Sequence, residues 1–138
     1  MAARPRRRVR GKALRLACCN TDRVRGRKLE LEHFLNEHGD DICLLSETFL
    51  NPGEAFRLAN YFCHRTDRPT AGSGTAILVR RGITHQSVPV PGLTQLEATA
   101  IQIMLNGRPV KVLAAYLSPS RPLIGADLDA CFGGGCRS

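Results

Sequence analysis

Two polar residues, Asn20 and Glu47, each follow an apolar run that is typical of a buried strand. Residues 13–19 (ALRLACC) precede Asn20, and residues 41–46 (DICLLS) precede Glu47. If the two strands are parallel neighbours, both side chains leave the sheet at the same edge, where open α/β sheets usually bind ligands. A carboxylate and an amide oxygen at that edge suit a hard divalent cation such as Mg²⁺. The spacing alone leaves open the alternative that both residues only cap loops.

The segment between these strands predicts a helix over residues 27–38. Its apolar positions, which include Leu31 and Leu35, recur at helical spacing, and Gly39 follows as a C-cap. The chain therefore begins as strand, loop, helix and strand, a βαβ-type start. We expect both strands to lie in the centre of one sheet, with the helix packed on one face.

The second half of the chain has the alternating pattern of strands. Residues 49–59 predict a loop that could end in one helical turn. The Asn106-Gly107 pair is a strong hairpin signal. We expect a mostly antiparallel meander from residue 60 to residue 117, and a helix could begin within 123–130. The strands are predicted at 60–66, 75–80, 96–104 and 109–117, with a weaker one at 83–88.

Composition restricts the class of protein. The 138 residues permit one domain, and 43% hydrophobic and 23% charged residues are typical of a soluble globular chain. No apolar run approaches the ~18 residues that a membrane-spanning helix needs. Residues 1–28 hold 11 Lys and Arg and one acid, a net charge of +10, whereas the remainder carries −2. A uniformly basic nucleic-acid binder is therefore excluded.

Residues 1–12 are Arg-rich and predict a disordered tail, because they contain too little apolar surface to pack. The tail could be a nuclear-import signal, a phosphate-binding arm, a mitochondrial presequence or a solvated extension. It lacks the apolar segment of a secretory signal. We therefore expect a nuclear or cytoplasmic protein that is not secreted, with its six cysteines as free thiols.

Several motifs occur in an order that resembles a known family. They are the Asn after the first strand, Ser-Glu-Thr at 46–48, a Gly-rich turn before TAILV at 75–79, and AYLSPSRP at 115–122. Over residues 14 to about 123 the chain resembles the endonuclease domain of non-LTR retrotransposons, closest to the jockey-like elements. That domain belongs to the endonuclease/exonuclease/phosphatase superfamily.

The resemblance implies an α/β (α+β) fold, namely a four-layer α/β/β/α sandwich. It implies a DNA endonuclease that depends on Mg²⁺, with Mn²⁺ as an alternative ion. By the same resemblance Asn20, Glu47 and Tyr116 are catalytic, Glu47 and Asn20 are metal ligands, and DNA is the partner. Another superfamily activity, such as a deadenylase or a phospholipid phosphatase, fits residues 46–48 and 116–122 less well.

The chain also departs from the family pattern. Cys19 stands where the family usually has Trp, and Arg23 stands at a usual Gly, where it disfavours a turn that needs positive φ. The family's later G-D-F-N and S-D-H motifs are absent, and no His follows His85. Asp127 and Asp129 do not stand in a matching context.

These departures lead to an expectation for the whole chain. We expect residues 13–138 to form a C-terminally truncated domain with an incomplete second half, whose first sheet exposes an apolar face and unpaired edges. We expect this fragment to be catalytically inactive as it stands, because catalytic groups that act as a unit lose activity together. The alternative is a non-enzymatic remnant with weak electrostatic nucleic-acid binding through its tail.

Overall fold

The computed structural model describes residues 14–67, 73–90, 93, 96–117, 122 and 125–132. The predicted tail at 1–12 lies outside the described residues. A short 3-10 helix, Val24–Arg27, follows the first strand. The remaining elements are, in chain order, β1 (Leu16–Asn20), α1 (Lys28–His38), β2 (Ile42–Ser46), β3 (Tyr61–Thr66), β4 (Thr75–Arg80), β5 (His85–Val88), β6 (Leu96–Leu105), β7 (Arg108–Leu117) and α2 (Gly125–Phe132).

The strands form two sheets. The first has the order β1-β2-β4-β3, in which β1 and β2 are parallel and the other pairs are antiparallel. The second has the antiparallel order β5-β6-β7. The predicted antiparallel pairing is confirmed, but the predicted single meander is wrong. β4 inserts between β2 and β3, and the chain then crosses to the other sheet.

The two sheets stack face to face between the helices. Ile42, Ile77 and Val79 of the first sheet pack against Ile101 and Ile103 of the second. The other face of the first sheet packs against Leu31 and Leu35 of α1. On the outer face of the second sheet, Leu96 and Ala98 pack against Cys131 of α2. This layering confirms the four-layer α/β/β/α sandwich.

Local sequence signals determine the element ends. Gly39 ends α1 in the left-handed region, at φ 67°, and its N–H donates to the Leu35 carbonyl at 2.9 Å. Asn106 and Gly107 both have positive φ, as a two-residue hairpin turn requires. Both predictions are confirmed. The helical turn considered for residues 49–59 does not form.

The position of β1 differs from the expectation. Among the described residues β1 pairs only with β2, so it is an edge strand and not a central one. The expected exposure of the first sheet's apolar face is wrong for β2 and β4, since Ile42 and Ile77 are fully buried beneath the second sheet. At β1 the expectation holds, because Leu16 is 52% exposed on the unpaired edge.

The five cysteines in the described part of the chain, Cys18, Cys19, Cys43, Cys63 and Cys131, are free thiols, as predicted. Among the described residues no helix has the length and apolar composition needed to cross a bilayer.

The open edge of β1 leads to a prediction about solubility. Leu16→Lys should reduce aggregation at high protein concentration, because a charge on an exposed strand edge opposes pairing with another chain. It should change the free energy of unfolding by less than about 0.5 kcal/mol, as for other exposed positions. Light scattering and urea unfolding measure the two quantities. As a contrast, Ile77→Ala should cost about 2–5 kcal/mol. Equal losses in both variants would show that β1 is buried in solution.

Candidate active site

The ends of β1 and β2 meet at one edge of the first sheet. Asn20 pairs in register with Ser46, one residue before Glu47, and the Asn20 side chain is exposed. The chain after Asn20 is joined to the end of β2, because Thr21 N–H donates to the Ser46 carbonyl at 3.0 Å. The Thr21 hydroxyl donates to the Glu47 carbonyl at 3.1 Å. The two strand ends therefore lie side by side, as the parallel arrangement predicted.

Glu47 also contacts the second sheet. The Tyr116 hydroxyl, on β7, donates to Glu47 Oε2 at 2.5 Å across 69 positions of sequence. This hydrogen bond raises the pKa of Tyr116 above its ordinary value of 10, with smaller contributions from burial and from the charges of Glu47 and Glu97. Tyr116 therefore keeps its proton at neutral pH and acts as a donor. The structure thus brings two of the three predicted site residues into direct contact.

Glu97 is a second acidic residue at this place, and it was not among the residues predicted from the sequence. It lies opposite Tyr116 in the β6–β7 pairing and is only 8% exposed. Its carboxylate accepts from the Gly74 N–H at 2.7 Å and from the Ser73 hydroxyl at 3.0 Å. A signal existed in the alternation of β6, because Glu97 shares its strand face with Ile101 and Ile103, which point into the core.

The loop before β4 is hydrogen-bonded to the two residues that follow Glu47. The Thr48 hydroxyl donates to the Ser73 carbonyl at 3.2 Å, and Phe49 N–H donates to the same carbonyl at 2.7 Å. Gly74 has φ 81°, and a Cβ there would meet Thr48 Oγ1 at 2.6 Å. The Gly-rich turn that carried part of the resemblance therefore has a physical role, since it lets two loops approach closely.

Four non-glycine residues of the site loops have positive φ, namely Asp22, Arg23, Glu47 and Phe49. Arg23 is at φ 81°, so the backbone adopts the conformation that an Arg was expected to disfavour. Two contacts hold it there. Its N–H donates to the Glu47 carbonyl at 2.9 Å, and its guanidinium lies 4.9 Å from the centre of the Phe49 ring. Such strain is commonly concentrated at functional sites.

The donor groups at this edge are compatible with Mg²⁺. Glu47 offers a carboxylate and the exposed Asn20 an amide oxygen, which are hard ligands. Within the described residues no group of three or more His, Cys, Asp or Glu side chains forms a metal cluster. Mg²⁺ tolerates this, because it binds through one or two carboxylates and keeps several waters. Asp127 is not part of the site, since it is fully buried and accepts from the Leu96 N–H at 2.8 Å.

Two stacked sheets between helices define a fold class with solved examples. An AP endonuclease from Leishmania major superposes with a TM-score of 0.62 and 14% identity, over 79% of this chain and 41% of that one. A humanized TDP2 from D. rerio superposes with a TM-score of 0.56 and 19% identity, over 78% of this chain and 52% of that one. At these identities the likeness concerns the fold.

Residues 16–131 match the model of the Endonuclease/Exonuclease/phosphatase family, and the chain belongs to that family. It is therefore a nuclease- or phosphodiesterase-type domain. The RNA-directed DNA polymerase from mobile element jockey of Drosophila funebris is 29% identical over 105 residues, or 75% of this chain. The probable RNA-directed DNA polymerase from transposon X-element of Drosophila melanogaster is 30% identical over 111 residues, or 77% of this chain.

These matches confirm the resemblance to the endonuclease domain of non-LTR retrotransposons. The chain spans 12% of the length of these curated relatives.

The contact between Tyr116 and Glu47 predicts an effect on the tyrosine titration. Glu47→Gln should lower the pKa of Tyr116, because it removes the carboxylate charge that favours the protonated hydroxyl. Absorbance at 295 nm between pH 8 and pH 13 measures the change. Tyr61, whose pKa is raised to about 12 mainly by burial, serves as an internal reference. An unchanged Tyr116 transition in Glu47→Gln would contradict the contact.

The close approach at Gly74 predicts a steric cost. Gly74→Ala should destabilise the fold by about 1–3 kcal/mol for its dihedral angle alone, and by more because of the contact with Thr48. Gly53→Ala is the matched control, because Gly53 has φ 83° and nothing within 4 Å of its added Cβ. Urea unfolding measures the difference between the variants. Equal losses would show that the loops do not approach closely.

Proposed function

We propose that this chain carries the metal- and phosphate-binding part of a DNA endonuclease site and uses Mg²⁺, with Mn²⁺ as an alternative. The observation that carries the proposal is the hydrogen bond from Tyr116 to Glu47 at the edge where Asn20 emerges. We also propose that these groups alone do not sustain efficient phosphodiester hydrolysis. The family membership and the oxygen donors support a phosphate substrate and a hard cation.

The proposed roles follow from the chemistry of each side chain. Glu47 and Asn20 would hold the cation, which supplies Lewis-acid stabilisation of the charge on the scissile phosphate. Tyr116 donates its one proton to Glu47 and would thereby orient that carboxylate toward the cation; it would donate to a phosphate oxygen only after this hydrogen bond opens. Glu97 holds the Ser73–Gly74 loop and thereby positions the residues after Glu47.

The proposed weakness of hydrolysis rests on the described residues, among which we identify no proton-transfer group beside Glu47 and Tyr116. Activation of water at neutral pH commonly uses a histidine or a second carboxylate within hydrogen-bond reach of the reacting group. Among the described residues, Glu97 uses its carboxylate to bind Ser73 and Gly74. His85 is the described histidine nearest in sequence to Tyr116. It lies on β5, and its contact is with His64 of β3.

A second function is favoured by the charge distribution. Residues 1–28 carry a net charge of +10, and residues 1–12 hold six of those Lys and Arg residues. The alternative is therefore weak, electrostatic binding of nucleic acid through the tail, without catalysis. Such binding would fall steeply with salt concentration and would not require a divalent cation.

One pair of measurements tests the proposed site. Millimolar MgCl₂ should shift the backbone NMR signals of Asn20 and Glu47, and Glu47→Ala should weaken this binding by roughly tenfold or more. Glu37→Ala, which removes an exposed acid of α1, should leave it unchanged. No shift near Asn20 and Glu47 in the wild-type chain would overturn the proposal of a metal site.

Plasmid nicking tests the proposed inactivity and the alternative. We expect no Mg²⁺-dependent nicking above the Glu47→Ala background. Nicking that EDTA and Glu47→Ala both abolish would show that the chain is an active endonuclease. Deletion of residues 1–12 should weaken DNA binding and reduce its salt dependence if the tail is the binding element. Unchanged affinity after the deletion would exclude the alternative.

A further inference from the structure

Arg23 is an exposed arginine in the loop that follows β1, beside the candidate site. Its N–H donates to the Glu47 carbonyl at 2.9 Å, which joins its backbone to the residue that carries the proposed metal-binding carboxylate. At φ 81° it lies in the left-handed region, which residues other than glycine rarely adopt. Glycine would adopt this conformation at no steric cost. The local backbone therefore does not explain why an arginine stands here.

The charge of Arg23 differs in its surroundings from that of the nearby Arg25. Arg25 forms an ion pair with the carboxylate of Glu54 through two of its nitrogens. Within the described residues no carboxylate or carbonyl oxygen accepts from the Arg23 guanidinium, which instead lies 4.9 Å from the centre of the Phe49 ring. The Arg23 side chain therefore brings a positive charge without a paired carboxylate to the candidate site, together with five N–H donors.

Phe49 determines where this charge lies. Its ring is partly buried, and its backbone is anchored on both sides. The Phe49 N–H donates to the Ser73 carbonyl at 2.7 Å, and the Phe49 carbonyl accepts from the Arg25 guanidinium at 3.2 Å. An aromatic ring attracts a guanidinium through its quadrupole without using the N–H donors in hydrogen bonds. The anchored ring therefore holds the Arg23 cation close to Glu47 with its donors available to a ligand.

The ligand that fits this guanidinium is a phosphodiester. Two carboxylates, those of Glu47 and Glu97, lie at the candidate site, and both repel an anionic substrate. The planar fork of a guanidinium matches two oxygens of one phosphate and offsets this repulsion. We propose, on the basis of the proposed endonuclease function, that Arg23 binds a backbone phosphate of the DNA strand that lies at Glu47. This contact does not need the divalent cation.

Binding of a short DNA duplex to the full chain in EDTA tests the Arg23 contact. Arg23→Gln should weaken binding by roughly threefold to tenfold. It should also lower the slope of log K against log salt concentration by about 0.9, the value for one phosphate contact. Arg23→Lys should keep the slope, because it keeps the charge. Arg81→Gln is the matched control, since Arg81 lies 4.4 Å from the centre of the Phe62 ring but follows the end of β4 opposite to Thr75, which pairs with Ser46.

An unchanged slope in Arg23→Gln, or an equal fall in Arg81→Gln, would overturn the phosphate contact. A slope in Arg23→Lys as low as in Arg23→Gln would also overturn it, because the effect would then come from packing on Phe49. The MgCl₂-induced shifts at Glu47 report the metal site separately, so a failure of either proposal is distinguishable from a failure of the other. If the variants do not fold, wild-type NMR decides. Added DNA should shift the ring signals of Phe49 more than those of Phe62, and the reverse order would refute the contact.

Discussion

The hydrogen bond from Tyr116 to Glu47 joins the two sheets at the candidate site. Glu47 follows β2 of the first sheet, and Tyr116 lies on β7 of the second. The stacked apolar side chains between the sheets set the distance between them, and the hydrogen bond fixes how the sheet ends are aligned. A charged acceptor makes such a bond shorter and stronger than one between neutral groups. The site therefore depends on the packing of both sheets.

Polar groups continue from this contact into the space between the sheets. Thr75 and Thr99, which lie on β4 and β6, are hydrogen-bonded through their hydroxyl oxygens at 2.8 Å, and Thr99 donates to Thr66 on β3 at 2.9 Å. Glu97 precedes Thr99 on the same strand face. Because buried polar groups are costly when unpaired, this network favours one alignment of the sheets. β3 and β5 are joined by the His64–His85 contact, and apolar side chains of β2, β4 and β6 fill the space between the sheets.

The local parts of the fold were readable from the sequence because each has a local cause. The helix ends at Gly39, and the hairpin turns at Asn106 and Gly107, since glycine and asparagine adopt positive φ readily. The parallel pairing of β1 and β2 followed from the helix between them. Sheet order was not readable. β4 pairs with both β2 and β3, and nothing in the alternation of residues 60–117 specifies which strands become neighbours.

For the candidate site, the sequence by itself determined that Asn20 and Glu47 emerge from adjacent parallel strands, because strand periodicity and a crossover helix fix that edge. The resemblance to the family implied Tyr116 as a site residue as well. Only the tertiary structure decided that Tyr116 contacts Glu47, that Glu97 lies buried beside them, and that His64 faces His85. Each of these depends on how two sheets stack. Stacking brings together side chains that are 21 to 69 positions apart, a separation over which local pattern carries no information.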